Sequence, residues 1–203
     1  MPPARRPARA VEDTARLLES LGHTVEEARI DLPARFVEDF LLYWAMLGFL
    51  VSKGGKALFP QGFDAGQLDP LTRGLADYYQ QRFLKTPGML RQLRLARQRY
   101  AAAFAQYDVI LSPVLAHTTP QIGYLGADLP FDTQLERLLR YTTFTPANNA
   151  SGGPGISLPL GQTADGLPIG VQFSAANGEE ALLLGLAFEL EEAHPFQSLG
   201  RVH

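Results

Sequence analysis

Ser151 sits in the context closest to a hydrolase signature, Asn149-Ala150-Ser151-Gly152-Gly153. It lacks the first glycine of the Gly-x-Ser-x-Gly elbow that lifts a nucleophile out of a strand-to-helix turn. A histidine base for it would have to come from elsewhere in the chain, and His117 is the candidate. No spacing supplies the carboxylate that would orient such a pair. The four histidines, His23, His117, His194 and His203, are isolated from one another. They therefore do not form the clustered ligand set a zinc ion needs, and no metal or cofactor is expected. Gly152-Gly153-Pro154-Gly155 is rich in glycine, but it has no lysine or hydroxyl partner and its proline removes a backbone donor. It reads as a close approach to a strand rather than a phosphate cradle. Asn149-Ala150-Ser151 also matches a glycosylation acceptor, which has no consequence without a secretory leader. Arg91, Arg94 and Arg97 recur every third residue. Such a stripe is an anion or acidic-partner site, or a solvated face paired with carboxylates, and the second reading is favoured.

The elements that must position these residues follow from periodicity. Residues 10–21 carry apolar positions three and four apart and end at Gly22, which predicts an amphipathic helix with a glycine cap. After a short extended piece, Pro33 opens a second helix in which Phe36, Phe40, Trp44, Leu47 and Val51 form an aromatic and aliphatic stripe, stopped at Lys53-Gly54-Gly55. Core packing is the favoured reading of that stripe, and a pocket wall is the other. Its apolar run, Phe40 to Val51, is about a dozen residues, against roughly 20 for a bilayer-spanning helix. Helices over about 68–83 and 88–106 follow a loop at 54–66. Then the pattern turns β-like: residues 108–115, 155–160 and 168–174 are short, β-branched and apolar, the last two joined by an Asp165-Gly166 turn. A last helix runs from about Glu179 to Ala193 and stops at Pro195.

The resulting class is α/β, a mixed β-sheet covered by helices with a helical insertion in the middle. At 203 residues, 46% hydrophobic and 19% charged, the chain can bury a core. A net charge of −3 argues against nucleic acid or anionic membrane as partner, and the lack of cysteine fits a reducing, cytoplasmic setting. Residues 1–9 read as a disordered lead-in. Three strands are few for this length, and their edges call for a partner.

Four segments then carry a resemblance: Tyr107 to Val114 (YDVILSPV), Thr145 to Gly161 (TPANNASGGPGISLPLG), Asp165 to Phe173 (DGLPIGVQF), and the final helix led by Gly-Glu-Glu and ending in Glu-Glu-Ala-His-Pro-Phe196. In this order they resemble the closing part of the amidase signature family. Residues 10–28 are similar to the helix opening the second half of its domain. The resemblance implies that 10–203 is the C-terminal portion of a single amidase-like domain, with 33–106 as its variable substrate-access region and 107–196 as core strands and closing helix. It implies hydrolysis of a carboxamide C–N bond through an acyl-enzyme, with a serine nucleophile, a second serine in a cis peptide and a lysine base, and no cofactor. None of those three maps onto this sequence. Lys53, Lys56 and Lys85 are the only lysines, and no Gly-Gly-Ser-Ser-Gly-Gly segment occurs. The expectation is a fragment inactive alone, partnered by an N-terminal amidase half or by itself; a non-catalytic binding module is the alternative. By the same resemblance Tyr43 and Trp44 line the mouth of the acyl pocket, and Asn148 and Asn149 stand near the catalytic loop as substrate-binding residues.

Overall fold

A computed structural model of the chain describes residues 5–196. Within those residues the chain forms two compact units: 5–30, 100–120 and 141–196 make one, and 31–99 with 121–140 make the other.

The first unit is built on a three-stranded antiparallel sheet of β1 (Val109–Pro113), β2 (Gly155–Gln162) and β3 (Pro168–Ala175), in the order β1-β3-β2. The expected mixed sheet is thus antiparallel throughout its described strands. A tight hairpin joins β2 to β3, and β1 pairs antiparallel with the other side of β3. A register shift between Leu158 and Gly161 accommodates Pro159, which has no N–H to give and lies on an edge strand. Period-two alternation gives the sheet two different faces. Ile169, Val171, Phe173 and Ala175 face one way with Leu158, and against them pack α1 (Arg5–Ser20) through Ala10 and Leu18 and α7 (Glu180–Ala193) through Leu183 and Leu190. Phe173 and Leu190 are fully buried, each worth about 1.5–3 kcal/mol by burial alone. The other face presents Gly170, Gln172 and Ser174.

Helix α1 begins at Arg5, so Arg5 to Arg9 of the expected lead-in are helical, and residues 1–4 lie outside the described part. Its end is the predicted glycine cap. The N–H of His23 bonds the Leu18 carbonyl and that of Gly22 the Glu19 carbonyl, both at 3.1 Å, with Gly22 at φ +97°. Residues 23–30, expected to be extended, form no strand.

The second unit is helical: α2 (Phe36–Leu58), α3 (Pro70–Gln80), the main part of α4 (Thr86–Ala103), and α5 (Phe131–Tyr141). Leu41, Ala45, Leu75 and Leu135 form its central cluster. The face of α2 that α3 covers carries Leu41 and Ala45, whereas Leu47 and Val51 of the predicted stripe stay exposed. Small residues decide this, because Ala45 and Gly48 let α3 come close. The expected stop at Gly54-Gly55 is not one: α2 runs to Leu58, and the bare Gly55 leaves room for the Phe63 ring. Asp69 caps α3, accepting from the Thr72 N–H at 3.0 Å, and its carboxyl is held below its usual pKa chiefly by the Thr72 side chain. Two helices escape the periodicity argument, α5 and the six-residue α6 (Pro146–Ser151) of the sheet unit.

Candidate functional site

The site grows from α6 and the turn behind it. Pro146 starts the helix where a missing N–H costs nothing, and Gly152 ends it in the left-handed region at φ +74°, its N–H bonding the Asn148 carbonyl at 2.8 Å. The Ser151 hydroxyl donates to that same carbonyl at 3.2 Å and accepts from the Gly153 N–H at 3.3 Å. It is buried and committed to closing the helix. Neither of its partners is a histidine. The His117 ring instead stacks on Tyr141 with centroids 4.6 Å apart, its Nδ1 lying 2.8 Å from the Thr118 carbonyl. The Ser151–His117 pair considered from sequence does not form.

Asn148 ties the turn to the polar face of the sheet. Its Oδ1 accepts from Tyr100 Oη at 3.1 Å and from Gln172 Nε2 at 3.0 Å, and Ser174 Oγ stands 3.1 Å away. Its Nδ2 donates to the Pro154 carbonyl at 3.3 Å and reaches Ser174 Oγ at 3.0 Å. Every polar atom of this side chain is thus used inside the protein, which makes it a structural knot rather than a free contact. Burial pushes the Tyr100 phenol above its usual pKa, against the opposing pull of Ser174, so at neutral pH it is an O–H donor. Gly155 lies against the knot, where an added Cβ would come within 3.1 Å of Asn148 Nδ2.

Beside the knot is an open cavity of about 580 Å³, bounded by Val114, Thr145, Asn149, the Gly152–Gly155 turn, Ser157 and Gln172. No lining residue is charged. Asn149 is exposed there, and its side chain has no hydrogen bond among the described residues. Such a lining can hold a neutral polar group through paired donors and acceptors, but it supplies no nucleophile with a base. Of the four predicted site residues, Asn148 and Asn149 therefore meet at one cavity. Tyr43 and Trp44 belong to α2 of the helical unit, where Trp44 packs on the central cluster and Tyr43 lies 6.3 Å from the Phe40 ring centroid. Thr145, Ser157, Gln172, Ser174 and Tyr100 were not singled out from sequence. The alternation Gly170, Gln172, Ser174 along β3 is the signal that points to two of them.

Among the described residues no group of three or more His, Asp or Glu could hold a metal ion, and no helix is long and apolar enough to cross a membrane. His23 pairs with Glu189 at 3.1 Å, while His203 lies outside the described part.

The fold recurs in proteins of known class. The sequence pattern of the family described as Amidase matches residues 2–184, and the chain belongs to that family. It is 46% identical over 190 residues to the AmiC protein of Mycobacterium tuberculosis, named as an amidase, covering 93% of this chain but 39% of the relative. A 6-aminohexanoate-cyclic-dimer hydrolase of Pseudomonas is 44% identical over 98 residues, 45% of this chain and 20% of the relative. The solved structure of a 6-aminohexanoate cyclic dimer hydrolase complexed with substrate superposes with a TM-score of 0.78 at 26% identity, covering 94% of this chain and 42% of that one. The chain spans about two-fifths of the length of the AmiC relatives it matches, 39% in each case.

Proposed function

We propose that this chain is the second half of an amidase that hydrolyses carboxamide C–N bonds through a Ser-Ser-Lys acyl-enzyme, and that it is inactive alone. The observation that carries this reading is the pairing of a family match over residues 2–184 with a cavity whose only nearby buried hydroxyl on α6, Ser151, is spent on a helix cap. Its part is to furnish one uncharged wall of the acyl site, with Asn149 free to meet the substrate and Asn148 holding the turn. The setting is the cytoplasm, in keeping with a chain free of cysteine.

Co-expression with the first three-fifths or so of an AmiC-like relative tests the reading, with ammonia release from simple carboxamides as the assay. Activity should appear only in the pair. Ser151→Ala should leave it nearly intact, whereas loss of a true nucleophile costs on the order of 10⁶ in kcat. Hydrolysis by the purified chain alone, abolished by Ser151→Ala, would overturn the proposal. A soluble pair with no hydrolysis would leave the non-catalytic binding module as the account.

A further inference from the structure

Two helix faces of this chain are unfinished in opposite and matching ways. Helix α7 is apolar on both sides. Leu183 and Leu190 pack on the sheet, while on the outer side Leu184 is 53% and Phe188 69% exposed, with open space over Gly185 between them. A helix that covers a monomer's core normally turns a polar face outward. Past this apolar row come Glu191 and Glu192, exposed in the last turn, which carries no basic residue. The carbonyl end of a helix is already the negative end of its dipole, so these carboxylates lack the cation that end favours.

Helix α4 and the turn before it show the complement. Met89 and Ala96 are buried, and the outward side begins with Leu84, 80% exposed, and Leu90, then continues with Arg91, Arg94 and Arg97. The three arginines are exposed and make no ion pair among the described residues, unlike Arg99, which pairs with Asp31 at 3.0 Å. Read in the chain direction, both faces run from apolar to charged, one ending negative and the other positive. Laid parallel, leucine meets leucine and phenylalanine while guanidinium meets carboxylate.

We propose that the α4 face of one copy docks on the α7 face of a second copy, placing Leu84 and Leu90 against Leu184 and Phe188, and Arg94 and Arg97 against Glu191 and Glu192. The contact is heterologous, since different surfaces meet. It does not depend on catalysis, and the open strand edges offer a rival route to association that charge does not control.

Sedimentation velocity on the full 203-residue chain tests it. Association should be concentration-dependent and weaken as salt rises. Arg94→Glu with Arg97→Glu, or Glu191→Arg with Glu192→Arg, should each weaken it about tenfold or more, with helix content by circular dichroism unchanged. Mixing the two reversed chains should restore it, because each then carries the face the other lost. A parent that stays monomeric overturns the proposal. So does association that survives both reversals, which would assign it to the strand edges, or a folded mixture that fails to re-associate.

Discussion

At Asn148 one amide holds together four parts of the sheet unit: Tyr100, the carbonyl of Pro154, and Gln172 and Ser174 of β3. Removing it strands several buried groups at once, each costing about 1–3 kcal/mol when left without a partner. Asn148→Ala should therefore lower stability by roughly 2–4 kcal/mol in urea unfolding. Asn149→Ala, one residue on and exposed, should change it by less than about 0.5 kcal/mol. Equal effects would mean that the knot does not act as drawn. Asp39 makes the opposite case. It is 4% exposed in the first turn of α2, its Oδ2 lacks a partner among the described residues, and Arg35 stays 3.8 Å from Oδ1. Burial raises its pKa, with Arg35 opposing and Glu38 assisting. The folded state thus binds this proton more tightly than the unfolded chain, so the residue costs stability as pH rises through and above the carboxylate range. Asp39→Ala should gain on the parent between acid and neutral pH, as thermal unfolding of the two across pH would reveal. A difference that stays flat with pH would rule this out.

At the scale of elements, glycine position decides whether a helix ends or continues. Gly54 lies inside α2 with open space around it, while Gly152 sits just past α6 at φ +74°, also in open space. Space is therefore equal and only the backbone differs. Gly54→Ala should stabilise by about 0.5–1 kcal/mol through helix propensity. Gly152→Ala should destabilise by roughly 1–2 kcal/mol through the left-handed penalty. Differential scanning calorimetry of the two variants should show melting shifts of opposite sign. The doublet Gly54-Gly55 misleads as a stop signal because a glycine caps a helix by turning left-handed, and neither glycine adopts positive φ. Helix α6 escapes periodicity because six residues are under two turns, yet its Pro146 start and Gly152 finish are both written in the sequence.

For the whole molecule the governing fact is incompleteness of surfaces. Among the described residues β1 and β2 are both edge strands, and α7 shows an apolar outer row. A chain that buries such surface against a second copy is stabilised by mass action, so its melting temperature should rise with protein concentration. Arg94→Glu with Arg97→Glu should flatten that dependence. A melting temperature independent of concentration would place these surfaces in the role of ordinary solvent-facing ones.

Much of this protein is legible in its residues taken in order. The three strands, the hairpin turn, the Gly22 cap, the closing helix and the family membership all rest on signals a few residues apart, such as β-branched runs, glycine and proline positions and an Asn-x-Ser-Gly segment. Such signals act through local backbone preference and short-range burial, which sequence spacing records directly. Tertiary structure decided what those residues do. It turned Ser151 into a helix cap, placed Tyr100 and Gln172 on one amide 48 and 24 residues away, and covered Ala45 rather than Leu47. It also left Arg91, Arg94 and Arg97 without carboxylates among the described residues. Those outcomes depend on which distant element packs closest, and that is settled by side-chain volume and by hydrogen-bond partners far apart in the chain.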